Sequence, residues 1–160
     1  MQHARTTRRR LLQLLGAGGA QALTSSSWAK GSSKPIEVEI WKDPNCGCCG
    51  DWIAHMQQHG FATTLHDTGN DTVRARLGLP LQYASCHTAR VGGYVVEGHV
   101  PADDVKRLLR EKPQALGLAV PGMPIGSPGM DGPAYGGRRD RYDTLLVQKN
   151  GSSRVFQSHR

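Results

Sequence analysis

The sequence predicts a single α/β domain behind an export segment, and three observations lead there. Residues 36–41, Ile36-Glu37-Val38-Glu39-Ile40-Trp41, alternate apolar and polar side chains, the period of a strand with one buried face. Over 49–59 the apolar residues Trp52, Ile53 and Met56 recur at three and four positions, a helical spacing closed by Gly60. Strand-like and helix-like stretches then alternate along much of the remaining chain. The 160 residues suit one domain with a real hydrophobic core. The 20 glycines, 9 prolines and 6% aromatic residues predict that a good part of it is loop.

Residues 1–29 have the three parts of a signal peptide: basic Arg5, Arg8, Arg9 and Arg10, a weakly apolar run over 11–23, and the small-residue site Ser27-Trp28-Ala29. Thr7-Arg8-Arg9-Arg10-Leu11-Leu12 resembles the twin-arginine export motif, and Gly16, Gly18, Gly19 and Gln21 give the low hydrophobicity of such substrates. An ordinary Sec signal is the alternative. The apolar run is shorter than the roughly 20 residues that span a bilayer, so no membrane anchor is expected and the destination is the periplasm. The segment also accounts for much of the formal charge of +7: it holds four basic residues and no acid, and without it the balance is +3. Nucleic-acid binding thereby loses its main support. A second basic cluster, Arg138, Arg139 and Arg141, reads as a solvated loop or, less simply, a phosphate site.

Residues 30–35 form a Gly/Ser linker and 36–160 the domain. After the first strand, Lys42-Asp43-Pro44-Asn45 is a turn, and the 49–59 helix follows. A strand is expected over 61–66, a short helix over 71–77 stopped by Gly78 and Pro80, and a strand over 91–97 weakened by Gly92 and Gly93. Pro101 fits the first turn of a helix running through Val105, Leu108 and Leu109 to Glu111, with Pro113 beyond it. Residues 117–137 form a long Gly/Pro-rich loop, the kind that is functional or disordered. Strands over 142–148 and 154–157 flank Lys149-Asn150-Gly151-Ser152, whose Asn-Gly step signals a hairpin. A strand leading to cysteines at a helix N-terminus is the layout of a thioredoxin-like α/β sandwich, here with an inserted helix and the long loop before the C-terminal β-hairpin.

The four cysteines are Cys46, Cys48, Cys49 and Cys86. Three of them lie within four residues, and bridges between such neighbours close no useful loop, which speaks against structural stapling. A helix N-terminus favours thiolate over thiol, and crowded thiolates repel one another until a cation joins them. Soft sulfur ligands select Cu(I), zinc or iron-sulfur clusters; zinc sites are usually built from two separated ligand pairs, which this chain lacks. Met123 and Met130, in the loop from Pro121 to Met130, serve either as core filling or as thioether ligands of Cu(I). His87 and His99 are candidates as ligands or as supporting donors, or else ordinary satisfied histidines. His55, about 10 Å along the helix from Cys48, cannot share its ion and is near a second metal or structural. The competing reading is a thiol-disulfide oxidoreductase using Cys46 and Cys49, which have the Cys-x-x-Cys spacing. No Ser-His-Asp set, phosphate-binding loop or paired-carboxylate constellation points to hydrolysis or group transfer.

Several motifs together carry a resemblance. Cys46-Gly47-Cys48-Cys49-Gly50-x-Trp52 with His55-Met56 and Gly60-Phe61 comes first, then Ser85-Cys86-His87-Thr88-Ala89 and Gly93-Tyr94-x-x-Glu97-Gly98-His99-Val100-Pro101-Ala102. Gly117-Leu118-x-Val120-Pro121-Gly122-Met123-Pro124-x-Gly126-Ser127-Pro128-Gly129-Met130 completes the set. In this order they resemble a bacterial domain-of-unknown-function family that includes the CopG-type copper-resistance proteins, over about residues 36–157. The resemblance implies a periplasmic, thioredoxin-like protein of metal resistance that holds Cu(I) at the clustered cysteines, a multinuclear copper-thiolate centre included. Its implied partners are copper ions and other periplasmic copper-handling proteins. Storage, delivery and redox roles all remain open at this stage, and with them whether the chain is an enzyme.

Overall fold

The structure, a computed structural model, describes residues 34–160; the export segment and the linker up to residue 33 lie outside the described residues. Strand β1 (Ile36–Lys42) buries Val38 and Ile40 on one face, as its alternation predicts. It leads into helix α1 (Gly47–Gln58), which returns the chain to β2 (Phe61–His66), parallel to β1. Helix α2 (Asp71–Arg76) and a 3-10 turn at Leu81–Tyr83 precede β3 (His87–Val91), which runs antiparallel to β1 on its other side. Strand β4 (Tyr94–Glu97) pairs antiparallel with β3, and helix α3 (Ala102–Glu111) crosses to β5 (Gly117–Ala119), parallel to β4. Strands β6 (Tyr142–Val147) and β7 (Ser153–His159) close the C-terminus as a hairpin. The result is a mixed α/β structure with one seven-stranded sheet, ordered β2-β1-β3-β4-β5-β6-β7.

Two departures from the sequence reading have local causes. The single strand expected over 91–97 is the turn and second arm of a hairpin, because Gly92 and Gly93 both take positive φ, 54° and 86°. That pair makes the tight reversal that right-twisted strands prefer. Its first arm, β3, was not expected. Likewise the long loop expected over 117–137 begins with β5, whose three residues pair with strands distant in sequence. Gly117 is required there: a Cβ at this position would lie 1.8 Å from the Val95 carbonyl oxygen.

The core has two parts because neighbouring strand residues point to opposite faces. Val96, Leu118 and Leu146 join Trp52 and Met56 of α1 and Val105 and Leu108 of α3. Val95, Ala119 and Val147 meet Leu79 and Tyr83 on the other face. Among the described residues no helix is long and apolar enough to cross a membrane.

Gly117→Ala is expected to cost about 1–3 kcal/mol, since the β4 backbone must give way to admit a methyl group. Gly132→Ala serves as control, because a Cβ there meets nothing within 4 Å. Urea unfolding checks the pair, and equal midpoints would contradict the assignment.

Candidate metal centre

The centre forms where β1 runs out. Buried Lys42, at the last position of β1, pairs with Asp67 at 2.7 Å and donates to the Asp43 carbonyl at 3.0 Å. The Asp43 side chain accepts from the Asn45 backbone N–H at 2.8 Å and its carbonyl from that of Cys46 at 3.0 Å. This turn places Cys46 at the N-cap of α1, with no side-chain cap on the helix. The first N–H groups of α1 are therefore left for the sulfur atoms, at the helix end where negative charge is favoured. The helix begins two residues earlier than its apolar spacing indicates, so Cys48 and Cys49 lie within its first turn.

The structure brings all four cysteine sulfurs within 4.8 Å of one another. Cys46 and Cys49 are joined in a disulfide, while Cys48 and Cys86 are free thiols. The bridge closes only a four-residue loop and so is no staple of the fold. Cys49 is fully buried, with its Sγ 3.6 Å from the Cys86 carbonyl oxygen; the other three are half-buried. Cys46 and Cys48 Sγ lie 3.6 Å apart, and Met123 Sδ lies 3.9 Å from Cys48 Sγ. Met123 is thus beside the cluster and about half exposed. Met130 is differently engaged: its thioether accepts a hydrogen bond from the Tyr135 hydroxyl at 3.1 Å.

Both candidate histidines are buried and flank Cys86. His99 Nε2 lies 3.0 Å and His87 Nδ1 3.4 Å from Cys86 Sγ. The other His99 nitrogen, Nδ1, is 2.7 Å from the Pro128 carbonyl, which can only accept, so Nδ1 carries the proton and the Nε2 lone pair faces the sulfur. His87 packs against Trp52 with ring centroids 4.2 Å apart and the planes tilted by 38°, and its Nε2 is the one buried side-chain polar atom among the described residues without a partner. Trp52 is held in turn by donating to the Val100 carbonyl at 2.9 Å. Sulfur, thioether and imidazole around one point are a donor set that fits Cu(I).

Burial sets the protonation. It pushes the Cys86 thiol up to about 12, with the nearby Cys48 adding to the shift. Burial lowers His87 to about 3, helped by His99, and also lowers His99, where the bond to Pro128 pulls the other way. Burial therefore favours a neutral Cys86 thiol and neutral imidazoles at His87 and His99, and a bound cation would take the place of the thiol proton.

His55 is structural rather than part of a second metal site. Its Nε2 accepts the backbone N–H of Ala102 at the start of α3, at 3.1 Å, and its ring lies 4.2 Å from that of His59. Arg138, Arg139 and Arg141 are exposed, as in a solvated loop. The sequence reading missed two supports of the site. One is the Pro128 carbonyl that orients His99, in a loop singled out only for its methionines; the other is a buried polar group of Asn70, Arg74, Ser85, Thr88 and Glu97. Glu97, a charged residue ending the apolar run Val95-Val96, is the one signal of the latter in the sequence.

The fold and site together define a mixed α/β protein with a cysteine cluster whose atoms could hold a metal ion. Residues 83–130 match the model of a family described as "Protein of unknown function, DUF411". Two solved structures of a copper resistance protein, CopG, in forms 1 and 2, are similar at 43% and 42% sequence identity. Their TM-scores are 0.72 and 0.73; the matches cover 78% and 79% of this chain and 98% and 99% of theirs. The chain belongs to the CopG-type copper-resistance family. No curated protein matches it.

Three histidines, His55, His87 and His99, sit below their ordinary value of 6.5, each chiefly through burial. On acidification the unfolded chain takes up protons near 6.5 while the folded chain does not, so stability falls as pH drops through that value. Fully buried His87 alone contributes about 1.4 kcal/mol per pH unit below it. Thermal unfolding of metal-free protein between pH 7.5 and 5.5 is expected to show a falling midpoint; a flat or rising one would contradict the assignment.

Proposed function

We propose that this is a periplasmic copper-binding protein of metal resistance, holding Cu(I) at Cys46, Cys48, Cys49 and Cys86, with His87, His99 and Met123 completing the donor set. The observation that carries this reading is the convergence of four cysteine sulfurs within 4.8 Å. Sulfurs that close can bridge ions, which supports a centre of more than one copper. Met130, whose thioether accepts from Tyr135, is a further candidate donor. Full occupancy requires the Cys46–Cys49 disulfide to take up two electrons and two protons, leaving two thiols. A reducible disulfide beside a copper site supports electron exchange as part of the role. The strand order β2-β1-β3-β4, with the cysteines at the start of α1, supports a thioredoxin-like unit extended by β5, β6 and β7. Export by the twin-arginine route rests on residues 7–12.

The disulfide itself favours a second reading, a thiol-disulfide oxidoreductase. In that case half-buried Cys46 is the attacking thiol and buried Cys49 resolves. Free Cys48, 3.6 Å from Cys46, competes as a disulfide partner and weighs against it.

Anaerobic Cu(I) titration of reduced protein against a competing chelator separates the two. Tight binding weakened tenfold or more in Cys86→Ser, a change of about 1.4 kcal/mol, supports the copper site; more than one copper per chain indicates a cluster. Weak binding with rapid reduction of a disulfide substrate would replace the copper reading with the oxidoreductase. For export, joint Arg8→Lys and Arg9→Lys substitution is expected to retain the chain in the cytoplasm on cell fractionation. Unchanged export would point to the Sec route.

A further inference from the structure

Cys86 and His87 lie in a short stretch between Ser85 and Thr88, and both ends of it are tied to one buried carboxylate. Glu97 is fully buried; its Oε1 accepts the Ser85 backbone N–H at 2.8 Å and Arg74 Nη1 at 3.1 Å. Its Oε2 accepts the Thr88 hydroxyl at 2.5 Å. Arg74, also buried, reaches the Ser85 carbonyl at 3.4 Å and pairs with Asp71 through its other terminal nitrogen. Asn70 repeats the bridge, donating to the Ser85 carbonyl at 3.2 Å and to the Thr88 hydroxyl at 3.1 Å. The Ser85 hydroxyl donates to the Gly122 carbonyl, so the same group ties down the residue before Met123.

We propose that Arg74 and Glu97 are positioning residues of the copper centre: they touch no candidate donor atom, and they set where Cys86 and His87 stand. A buried ion pair is a weak means of stabilising a fold, because desolvation offsets much of the attraction. What distinguishes this pair is where its hydrogen bonds go. Apart from the bond between them and the one to Asp71, every side-chain contact of Arg74 and Glu97 above ends on Ser85 or Thr88, the two residues bracketing Cys86 and His87. The carboxylate is suited to this because three donors converge on it. An amide in its place either sets its N–H2 against the Ser85 and Arg74 donors or, turned the other way, takes from the Thr88 hydroxyl the acceptor for its own proton. Arg74 is suited because its planar fork reaches Asp71, Glu97 and Ser85 together, which a lysine cannot do.

The inference rests on Cys86 being a copper ligand, and two measurements keep the two ideas separable. In reduced, metal-free protein, Glu97→Gln is expected to speed amide hydrogen exchange about tenfold or more over residues 85–88. The β1 and β6 amides should change little. In Cu(I) titration, Glu97→Gln is expected to weaken binding about tenfold, in the range of changes behind metal ligands. In the Cys86→Ser background the same substitution should change it less than about threefold, because of the two donors it positions the thiol is gone and His87 alone remains. Arg74→Lys should give the same pattern at smaller amplitude, and it stands in if Glu97→Gln does not fold. Exchange that rises evenly through the sheet, or equal losses of affinity in both backgrounds, would show a merely structural pair and overturn the proposal. Local exchange without copper binding by the parent protein would retain the positioning role and remove the copper reading.

Discussion

The loop from Pro121 to Met130 lies against the first turn of α1 at a distance that leaves no room for a side chain. A Cβ on Gly129 would stand 2.7 Å from the Cys48 carbonyl oxygen and 2.8 Å from the Trp52 nitrogen, and the glycine's φ of +86° would strain another residue in any case. Because Gly129 can sit there, the neighbouring Pro128 carbonyl meets His99 and turns its other nitrogen toward Cys86. Met123 reaches Cys48 from the same loop. A second close approach repeats the device: a Cβ on Gly98 would lie 2.5 Å from both Ser85 Oγ and the Val120 carbonyl oxygen. The site is thus assembled from segments of irregular backbone pressed together, with the sheet fixing their roots.

How much of this was legible in the sequence follows from the range of each interaction. Strands β1 and β2, helix α1 and the β6–β7 hairpin are written in local periodicity and turn residues, and they lie close to where the sequence places them. Arm β3 was hidden because His87-Thr88-Ala89-Arg90-Val91 has little alternation: four of its five residues are buried. Strand β5 was hidden because three residues carry no period, and its partners come from β4 and β6.

The site shows the same division. Cysteine is scarce and its chemistry narrow, so Cys86 could be joined to the cluster before any geometry was known. Methionine in a loop has no period to place it, and Met123 and Met130 take different partners. The bonds among Asn70, Arg74, Ser85, Thr88 and Glu97 span up to 23 positions, and nothing local announces them. A resemblance of ordered motifs reaches such residues only as letters. Their hydrogen bonds supply the reason the letters stand there.

The sheet is open, and its two borders differ. At one, β7 carries Arg154 beside the exposed Val155, and the Arg107 guanidinium lies 4.1 Å from the Phe156 ring centroid. At the other, β2 has no lysine, arginine or proline and leaves Leu65 43% exposed. Charged or proline-bearing borders discourage strand addition; plain ones invite it. Strand addition would therefore meet fewer charges along β2. The cysteines follow the end of β1, one strand in from that border, so such growth consumes backbone hydrogen-bonding groups rather than sulfur. Strand addition at that border would therefore leave the sulfur cluster untouched.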